Sequence, residues 1–430
     1  MIKHFKKPAS IAASERIGGH DQAGMKRFNR IFPAFAQALR GLLRLALALL
    51  LLGWLPAHAV NYTFQGGNLP DGCSGSNGSF TCGALTLLTG DSISISSPTT
   101  ITIAGALKVD PYASINSAGT EKLKLVVNGT TTLEGNTVVK ADLTSPAGVI
   151  TIGNSSNFTG TLTTVNAAIN VGDQSTVNGS IFITQAGVIT IGKASVVKGS
   201  LNTFTGTINV GADSTVGSAL SVDAGAITTG ARATVNGNIS SGAGAITTGA
   251  SSVVTGNVTT EVGAVTIGSD ARVGGRINSR GTSLAGAVTL SSGAVVNNAI
   301  VTGAGAVTLG ASSSAAGIST EDGAITIGAG SKMTGSVCTG NSGAITVQEG
   351  ATVVGNVISK NAGAITIGAL AQVSGTVTVM KAGAKTIAAG AIVGNLESNA
   401  QCAVVLAAVM PSPASAPAIK SREWRQIFMR

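Results

Sequence analysis

The carboxylates of the chain are the residues most able to do hydrolytic chemistry, and they are thinly spread. Hydrolysis of a glycosidic bond needs two carboxyl groups that face one sugar linkage. Glu321 and Asp322 form the only adjacent acidic pair, and neighbouring side chains in a strand point to opposite faces. The pattern therefore favours solvated charges over a catalytic pair. The other acidic positions of the central region are Asp173, Asp213, Asp223, Glu261, Asp270 and Glu349.

Histidines and known cofactor motifs offer little more chemistry. All three histidines, His4, His20 and His58, precede residue 59. Beyond that point, histidine-based catalysis and histidine-ligated metals have no side chain to use. No Cys-x-x-Cys, phosphate loop or dinucleotide-binding motif occurs in a strand–helix context. The sequence therefore predicts a protein that is not an enzyme and that has no cofactor and no metal.

Four cysteines offer disulfide chemistry. A stretch rich in Gly, Ser and Asn separates Cys73 from Cys82, and we predict that these two close a small disulfide loop. Cys338 and Cys402 are harder to pair, because the repeat places them three coils, or roughly 14 Å, apart. A disulfide needs Cα atoms within about 7 Å. A bond between them requires the C-terminal segment to fold back.

A repeated phrase, Gly-Ala-Ile-Thr-Ile-Gly or a near copy, must position all of these residues. Thirteen copies begin between Gly148 and Gly383, at steps of 18 to 23 residues. Such a period is typical of a solenoid, in which one coil cannot bury its own apolar face. Within a copy, alternation predicts Ile325 and Ile327 inside and Thr326 outside. We predict an all-β fold, a parallel β-helix (β-solenoid) with coils of about 20 residues.

Stacked coils bring equal positions into register, so a file of threonines is predicted on the outer face of the repeat phrase. The flat faces of ice-binding solenoids carry paired Thr-x-Thr, whereas the outward pair in this chain is Ala-x-Thr. The core is predicted to be aliphatic, with Phe158, Phe182 and Phe204 as its large rings. The predicted outer-face threonines are Thr228, Thr247, Thr266, Thr289, Thr308, Thr326, Thr346 and Thr366.

The first 59 residues resemble a secretion leader. Basic residues precede the apolar run 45–52, and Ala57 and Ala59 are placed as in a signal cleavage site before Val60. The run is shorter than the ~20 residues of a transmembrane helix. An uncleaved anchor is the alternative, and Met25 is an alternative start. The predicted location is exported: the periplasm, the outer surface or the extracellular space.

The formal net charge of +9 belongs to the two ends of the chain. Between residues 60 and 411 there are 14 basic and 15 acidic residues, so the body is nearly neutral. No nucleic-acid partner is predicted, and membrane contact is expected only through the leader or the C-terminal tail. Four segments are predicted: the leader 1–59, a disulfide loop with capping coils 60–147, the β-solenoid repeats 148–402, and an apolar cap, linker and basic tail 403–430.

Two resemblances to known families follow from these motifs. The repeat phrase, followed by segments of the type Val-x-Gly-Asn-Val, resembles the coils of bactofilin-type polymer-forming proteins. That resemblance implies a right-handed β-helix that assembles end to end without nucleotide. The N-terminal stretch Tyr62-Thr-Phe64, Leu69-Pro-Asp-Gly-Cys73 and Thr81-Cys-Gly-Ala-Leu85 is similar to the N-terminal part of exported proteins associated with the mannose-sensitive haemagglutinin (type IV-like) pilus. Bactofilins are normally cytoplasmic or on the inner membrane surface, whereas this chain carries a predicted leader.

Together these patterns predict a non-enzymatic exported structural protein. Its expected partners are itself, end to end, or components of the cell surface or pilus. The alternative function is an adhesin or pilus-associated binding protein. A polysaccharide-active β-helix and an ice-binding protein have weaker support, because the chain lacks paired acids for the first and paired outward threonines for the second.

Overall fold

The computed structural model describes residues 59–279 and 286–394, and within them it contains strands and turns but no helix. The chain divides into two units, Met1–His58 and Ala59–Arg430, and every described residue belongs to the second. The predicted fold class is confirmed, since this unit is a parallel β-solenoid. Each coil contributes three short strands, which stack into three parallel ladders of about sixteen coils.

The first ladder is built from the repeat phrase and forms a sheet of its own with sixteen strands. They are Leu85–Leu87, Leu107–Val109, Thr131–Leu133, Ile150–Ile152, Ile169–Val171, Ile189–Ile191, Ile208–Val210, Ile227–Thr229, Ile246–Thr248, Val265–Ile267, Val288–Leu290, Val307–Leu309, Ile325–Ile327, Ile345–Val347, Ile365–Ile367 and Lys385–Ile387.

The second and third ladders together make up the other sheet. The second contains Asn61–Thr63, Ser92–Ser94, Ser114–Ile115, Val138–Lys140, Asn157–Thr159, Thr176–Asn178, Val196–Val197, Thr215–Val216, Thr234–Val235, Val253–Val254, Arg272–Val273, Lys332–Met333, Thr352–Val353, Gln372–Val373 and Ile392–Val393. The third contains Ser79–Cys82, Thr99–Ile103, Leu123–Val127, Asp142–Ser145, Leu162–Thr164, Ile181–Ala186, Leu201–Thr205, Leu220–Ala224, Ile239–Ala243, Val258–Thr260, Ile277–Ser279, Val337–Thr339, Val357–Ser359 and Val377–Val379. Val295–Thr302 and Ser314–Thr320 are long enough to belong to both.

Alternate side chains point into each coil, and stacking makes one continuous aliphatic core. Ile246 is fully buried between its register partners Ile227 and Val265. The prediction of three core phenylalanines was partly wrong. Phe158 is buried, but Phe182 is half-buried and Phe204 is 57% exposed. Both lie at outward positions of third-ladder strands, where the two-residue period of the strand decides the direction of the side chain.

The two corners that flank the first ladder make different demands on the backbone. The corner after it uses a left-handed residue in most coils, such as Leu370 with φ 56° and Gly350 with φ 65°. At the corner before it, coils stack too closely for a side chain. A Cβ on Gly244 would meet the carbonyl oxygen of Gly225 in the preceding coil well inside 3.0 Å. This crowding explains why the phrase opens with glycine in every copy except the one at Ala167.

Buried serines connect the coils at the corner between the first and second ladders. Ser195 is fully buried, donates its hydroxyl to the carbonyl of Gly172 at 2.9 Å and accepts the backbone N–H of Ser175 at 3.2 Å. Ser214 repeats this one coil later, donating to Gly192 at 2.7 Å and accepting from Ser195 at 3.1 Å. Each hydroxyl therefore satisfies backbone groups that would otherwise be unpaired in an aliphatic interior.

The two ends of the solenoid differ. At the N-terminal end, the strand Cys73–Ser76 pairs antiparallel with Ser79–Cys82 and covers the edge of the third ladder. At the C-terminal end, the last strands are Val377–Val379, Lys385–Ile387 and Ile392–Val393. No strand in the described part of the chain pairs with their outer edges.

Candidate functional surface

The outward-facing middle residues of the first ladder form a single row, which we call the outer file. The strand register joins them one by one without a break. Thirteen of the sixteen are threonine, so the row is chemically almost uniform. Its members are Thr86, Lys108, Thr132, Thr151, Asn170, Thr190, Asn209, Thr228, Thr247, Thr266, Thr289, Thr308, Thr326, Thr346, Thr366 and Thr386.

All eight threonines that the sequence predicts for the outer face lie in the outer file. They are Thr228, Thr247, Thr266, Thr289, Thr308, Thr326, Thr346 and Thr366. None of them is buried. Within residues 59–279 and 286–394, none of their hydroxyls makes an intramolecular hydrogen bond. These hydroxyls are therefore available to an external partner.

The chemistry of the outer file is that of a regular row of neutral hydrogen-bonding groups. A hydroxyl donates one hydrogen bond and accepts two, and the row repeats at the coil spacing of about 4.8 Å. Exposed alanines such as Ala245 and Ala264 lie beside it, so the row is one hydroxyl wide. Lys108 is its only charged member. Such a surface suits contact with an extended polar partner rather than the recognition of a small molecule.

The acidic residues singled out from the sequence do not form an enclosed site. Asp223, Glu261, Glu321 and Asp322 are all exposed, at the corner between the third and first ladders. In the described part of the chain, no group of three or more His, Cys, Asp or Glu side chains is placed to hold a metal ion. The arrangement distributes single charges along the surface.

Two ion pairs lie on the surface of the described coils. Arg232 Nη2 donates to Asp213 Oδ2 at 2.7 Å across adjacent coils. This hydrogen bond holds the pKa of Asp213 below its ordinary value and the pKa of Arg232 above its own. Lys108 Nζ lies 2.9 Å from Asp110 Oδ1, and this hydrogen bond raises the pKa of Lys108. Solvent screens both exposed pairs, so neither creates a reactive group.

The predicted cysteine pair and cleavage site fall at the start of the fold. Cys73 and Cys82 are directly opposite each other in the N-terminal hairpin and form a disulfide. Ala57 lies outside the described residues. Ala59 and Val60 are both exposed at the beginning of the described chain. The peptide bond between them is thus at the surface.

A buried carboxylate lies beside this peptide bond. Asp91 is 4% exposed and is the only charged side chain buried among the described residues. Its Oδ1 accepts the backbone N–H of Val60 at 2.8 Å, and its Oδ2 accepts that of Leu88 at 2.9 Å. Asp91 therefore ties Val60, near the start of the described chain, to the first coils.

Sequence reasoning missed a feature of the third ladder. Cys338, Ile358 and Thr378 are outward-facing register partners in consecutive coils, yet they are only 2%, 0% and 6% exposed. Cys338 is disulfide-bonded, although the spacing of the coils argued against its pairing. The available signal was Ile358, an aliphatic residue at a position where Ser221 and Ser240 stand in earlier coils.

The continuous core and the uniform outer file belong to one parallel β-solenoid. Comparison with protein-family models, curated proteins and solved structures finds no match to this chain. The resemblances to bactofilins and to pilus-associated proteins therefore stay predictions. No helix in the described ranges is long and apolar enough to cross a bilayer.

Proposed function

We propose that the chain is a non-enzymatic exported structural protein, a scaffold in the periplasm or at the cell surface that associates end to end with itself. The proposal is supported by the unbroken register of about sixteen coils between two different ends. At about 4.8 Å per coil, such a stack extends roughly 75 Å. Three hydrogen-bonded ladders connect every coil to its neighbours, which makes the stack stiff along its length.

The C-terminal end supplies groups for association. Ile365 donates its backbone N–H to Ala384 in the following coil at 2.9 Å, so Ile365 faces that coil. Lys385 is the register partner of Ile365 and faces the same way, where no described coil follows. Open strand edges pair readily with other strands. Ile387 and Ile392 add apolar surface there, being 39% and 62% exposed.

Export is supported by the disulfides and by the start of the fold. Cys73, Cys82 and Cys338 are all oxidised, as is usual outside the cytoplasm. Cleavage before Val60 would leave an α-ammonium group beside the buried Asp91 carboxylate, converting a hydrogen bond into an ion pair. Mass spectrometry of the exported chain is expected to find Val60 at the N-terminus. A chain that retains residues 1–59 would contradict cleavage.

Association is tested by light scattering and negative-stain electron microscopy on the exported chain over a concentration series. Filaments one solenoid wide should lengthen as the concentration rises. Ile392→Lys adds a charge at the C-terminal end and should shorten them. Gln372→Lys is the matched control, because Gln372 is the exposed register partner of Ile392 one coil earlier. Monodisperse short rods at every concentration would refute the scaffold.

The outer file favours a second candidate, an adhesin or pilus-associated binder. Its threonine hydroxyls make no hydrogen bond within the described part of the chain, and contacts along many coils would add together. A binder should attach to cells, pili or glycans as a monomer, without forming filaments. The outcome of the concentration series therefore separates the two candidates.

Charge substitution locates the binding face in that case. The triple variant Thr228→Lys, Thr247→Lys and Thr266→Lys should weaken binding to cells or pili. The matched control places lysines at the half-buried Thr215, Thr234 and Val253, the outward positions of successive second-ladder strands. Equal binding by both triple variants would exclude the outer file as the contact surface.

A further inference from the structure

The three ladders differ in what pairs with their outer edges at the N-terminal end of the described solenoid. The edge of the second ladder is closed from within. Thr63 donates its backbone N–H to the carbonyl of Asn68 at 2.9 Å, and Asn68 Nδ2 donates to the carbonyl of Asn61 at 2.7 Å. The edge of the third ladder is covered by the antiparallel strand Cys73–Ser76. Among the described residues, the first ladder alone can continue in parallel beyond this end.

The first-ladder strand Leu85–Leu87 presents this open edge. Leu85 donates its backbone N–H to the carbonyl of Ala106 in the following coil at 2.9 Å, so Leu85 faces that coil. The backbone N–H and C=O of the next residue, Thr86, face the other way, where no described strand pairs with them. At the C-terminal end, Lys385 faces outward in the same ladder. The first ladder therefore offers backbone groups for a parallel joint at both ends.

The charged residues of the two ends are of opposite sign. Residues 59–107 contain two acidic residues, Asp71 and Asp91, and no Lys or Arg. Asp91 is buried beside Val60, so Asp71 is the exposed charge of this end. Residues 350–394 contain three lysines and no acidic residue. Two C-terminal ends would therefore repel each other, whereas the C-terminal end of one copy attracts the N-terminal end of another.

The opposite charges lie at the same corner of the solenoid. The carbonyl of Gly72 accepts the backbone N–H of Gly83 at 3.1 Å, which holds Asp71 near the corner between the third and first ladders. Lys381 occupies that corner in the last coil. Both Asp71 and Lys381 are exposed. Since equal corners lie above one another when coils stack, stacking two copies in register brings Asp71 close to Lys381.

We propose that copies of the chain stack head to tail, and that Asp71 of one copy pairs with Lys381 of its neighbour. The inference rests on the proposed end-to-end association and adds its polarity. The first ladder and its outer file then continue through the joint, from Thr386 of one copy to Thr86 of the next. Because one ladder pairs in parallel across the joint and three pair within a copy, the joint is reversible, and salt weakens its charge pair.

Charge reversal tests the pairing in the concentration series on the exported chain. Asp71→Lys or Lys381→Glu alone should raise the concentration needed for filaments by roughly threefold to tenfold. A chain with both changes should return to the wild-type concentration, because each joint again pairs opposite charges. Lys332→Glu is the matched control, since it makes the same change of charge at an exposed residue three coils before the last. Far-UV circular dichroism checks that all four variants keep their strands.

Zero-length cross-linking tests the polarity itself. A carbodiimide condenses a carboxylate with an amine to an amide and is itself converted to a urea. It is applied to filaments grown from a mixture of isotope-labelled and unlabelled chains. Trypsin should then release residues 60–108 linked to residues 361–385, with one peptide labelled and the other not.

The outcomes separate the joint from the scaffold function. Filaments that lack this link, or single reversals that assemble like the wild type, would overturn the head-to-tail joint and leave the scaffold function in place. A chain that forms no filaments at any concentration would refute the scaffold function and the joint together.

Discussion

The core position at Ile246 provides a quantitative test of the inward and outward assignment of the first ladder. Ile246 is fully buried, whereas the next residue, Thr247, is exposed. Ile246→Ala removes three carbons, which is about 2.4 kcal/mol at about 0.8 kcal/mol per buried methylene. The cavity left behind raises the expected loss of stability to about 3–4 kcal/mol. Ile246→Val should cost about 1 kcal/mol, and Thr247→Ala at most about 0.5 kcal/mol.

Chemical denaturation measures the size of this loss, and hydrogen exchange read by mass spectrometry measures where it falls. Because each coil contacts only its neighbours, a defect in a solenoid acts locally. Exchange should rise in the strands of Ile227 and Val265, the register partners of Ile246. It should remain unchanged around Ile345, five coils further along.

Two results would refute this reasoning. If Thr247→Ala destabilises as much as Ile246→Ala, the two faces of the strand are assigned the wrong way round. If exchange rises equally around Ile345, the coils unfold as one unit and the nearest-neighbour description fails.

Three further predictions concern the cap, a corner and a surface ion pair. Cys82→Ser opens the disulfide to Cys73, which closes a loop of sequence separation 9, and should cost about 2–3 kcal/mol in the unfolding of the N-terminal coils. Leu370→Asn should stabilise by about 0.5–1 kcal/mol in thermal unfolding, because Leu370 has φ 56° and a side chain that is 60% exposed, and Asn tolerates this conformation better. Arg232→Ala should raise the pKa of Asp213 towards its ordinary value in an NMR titration. Since the Arg232 pair lowers that pKa, its contribution to stability should be present at neutral pH and be lost as the pH falls through the pKa of the folded state.

The fold was predictable because one pattern is repeated in every coil. A single strand of three residues gives a weak signal, but thirteen copies at a nearly constant step fix both the period of the coil and the parity of the strand. Ile325 and Ile327 are fully buried, and Ala324, the residue directly before Ile325, is exposed, as the alternation predicts. Register then follows, because a shift by one residue would turn every isoleucine outward.

The features that escaped prediction depend on contacts between distant parts of the chain. Phe182 and Phe204 are hydrophobic but lie at outward positions, so residue type alone gave the wrong direction. Ser195 was not singled out, because its hydroxyl gains its role only when its own coil stacks on the preceding one. Cys338 and Ile358 occupy outward positions yet are buried. Nothing in the period of the repeat indicates that these two outward positions are buried.

The regularity of the solenoid also determines where specific recognition can reside. In the outer file, a partner that contacts Thr247 finds the same group one coil away at Thr266 and again at Thr228, so binding there has no unique position along the stack. A partner that must dock at one place needs a feature that does not repeat. The described chain offers such features at the hairpin closed by Cys73 and at the buried outward positions Cys338 and Ile358. A scaffold built on this chain would therefore make its position-specific contacts near the two ends. The uniform face between them would suit contacts that add together and have no fixed position along the stack.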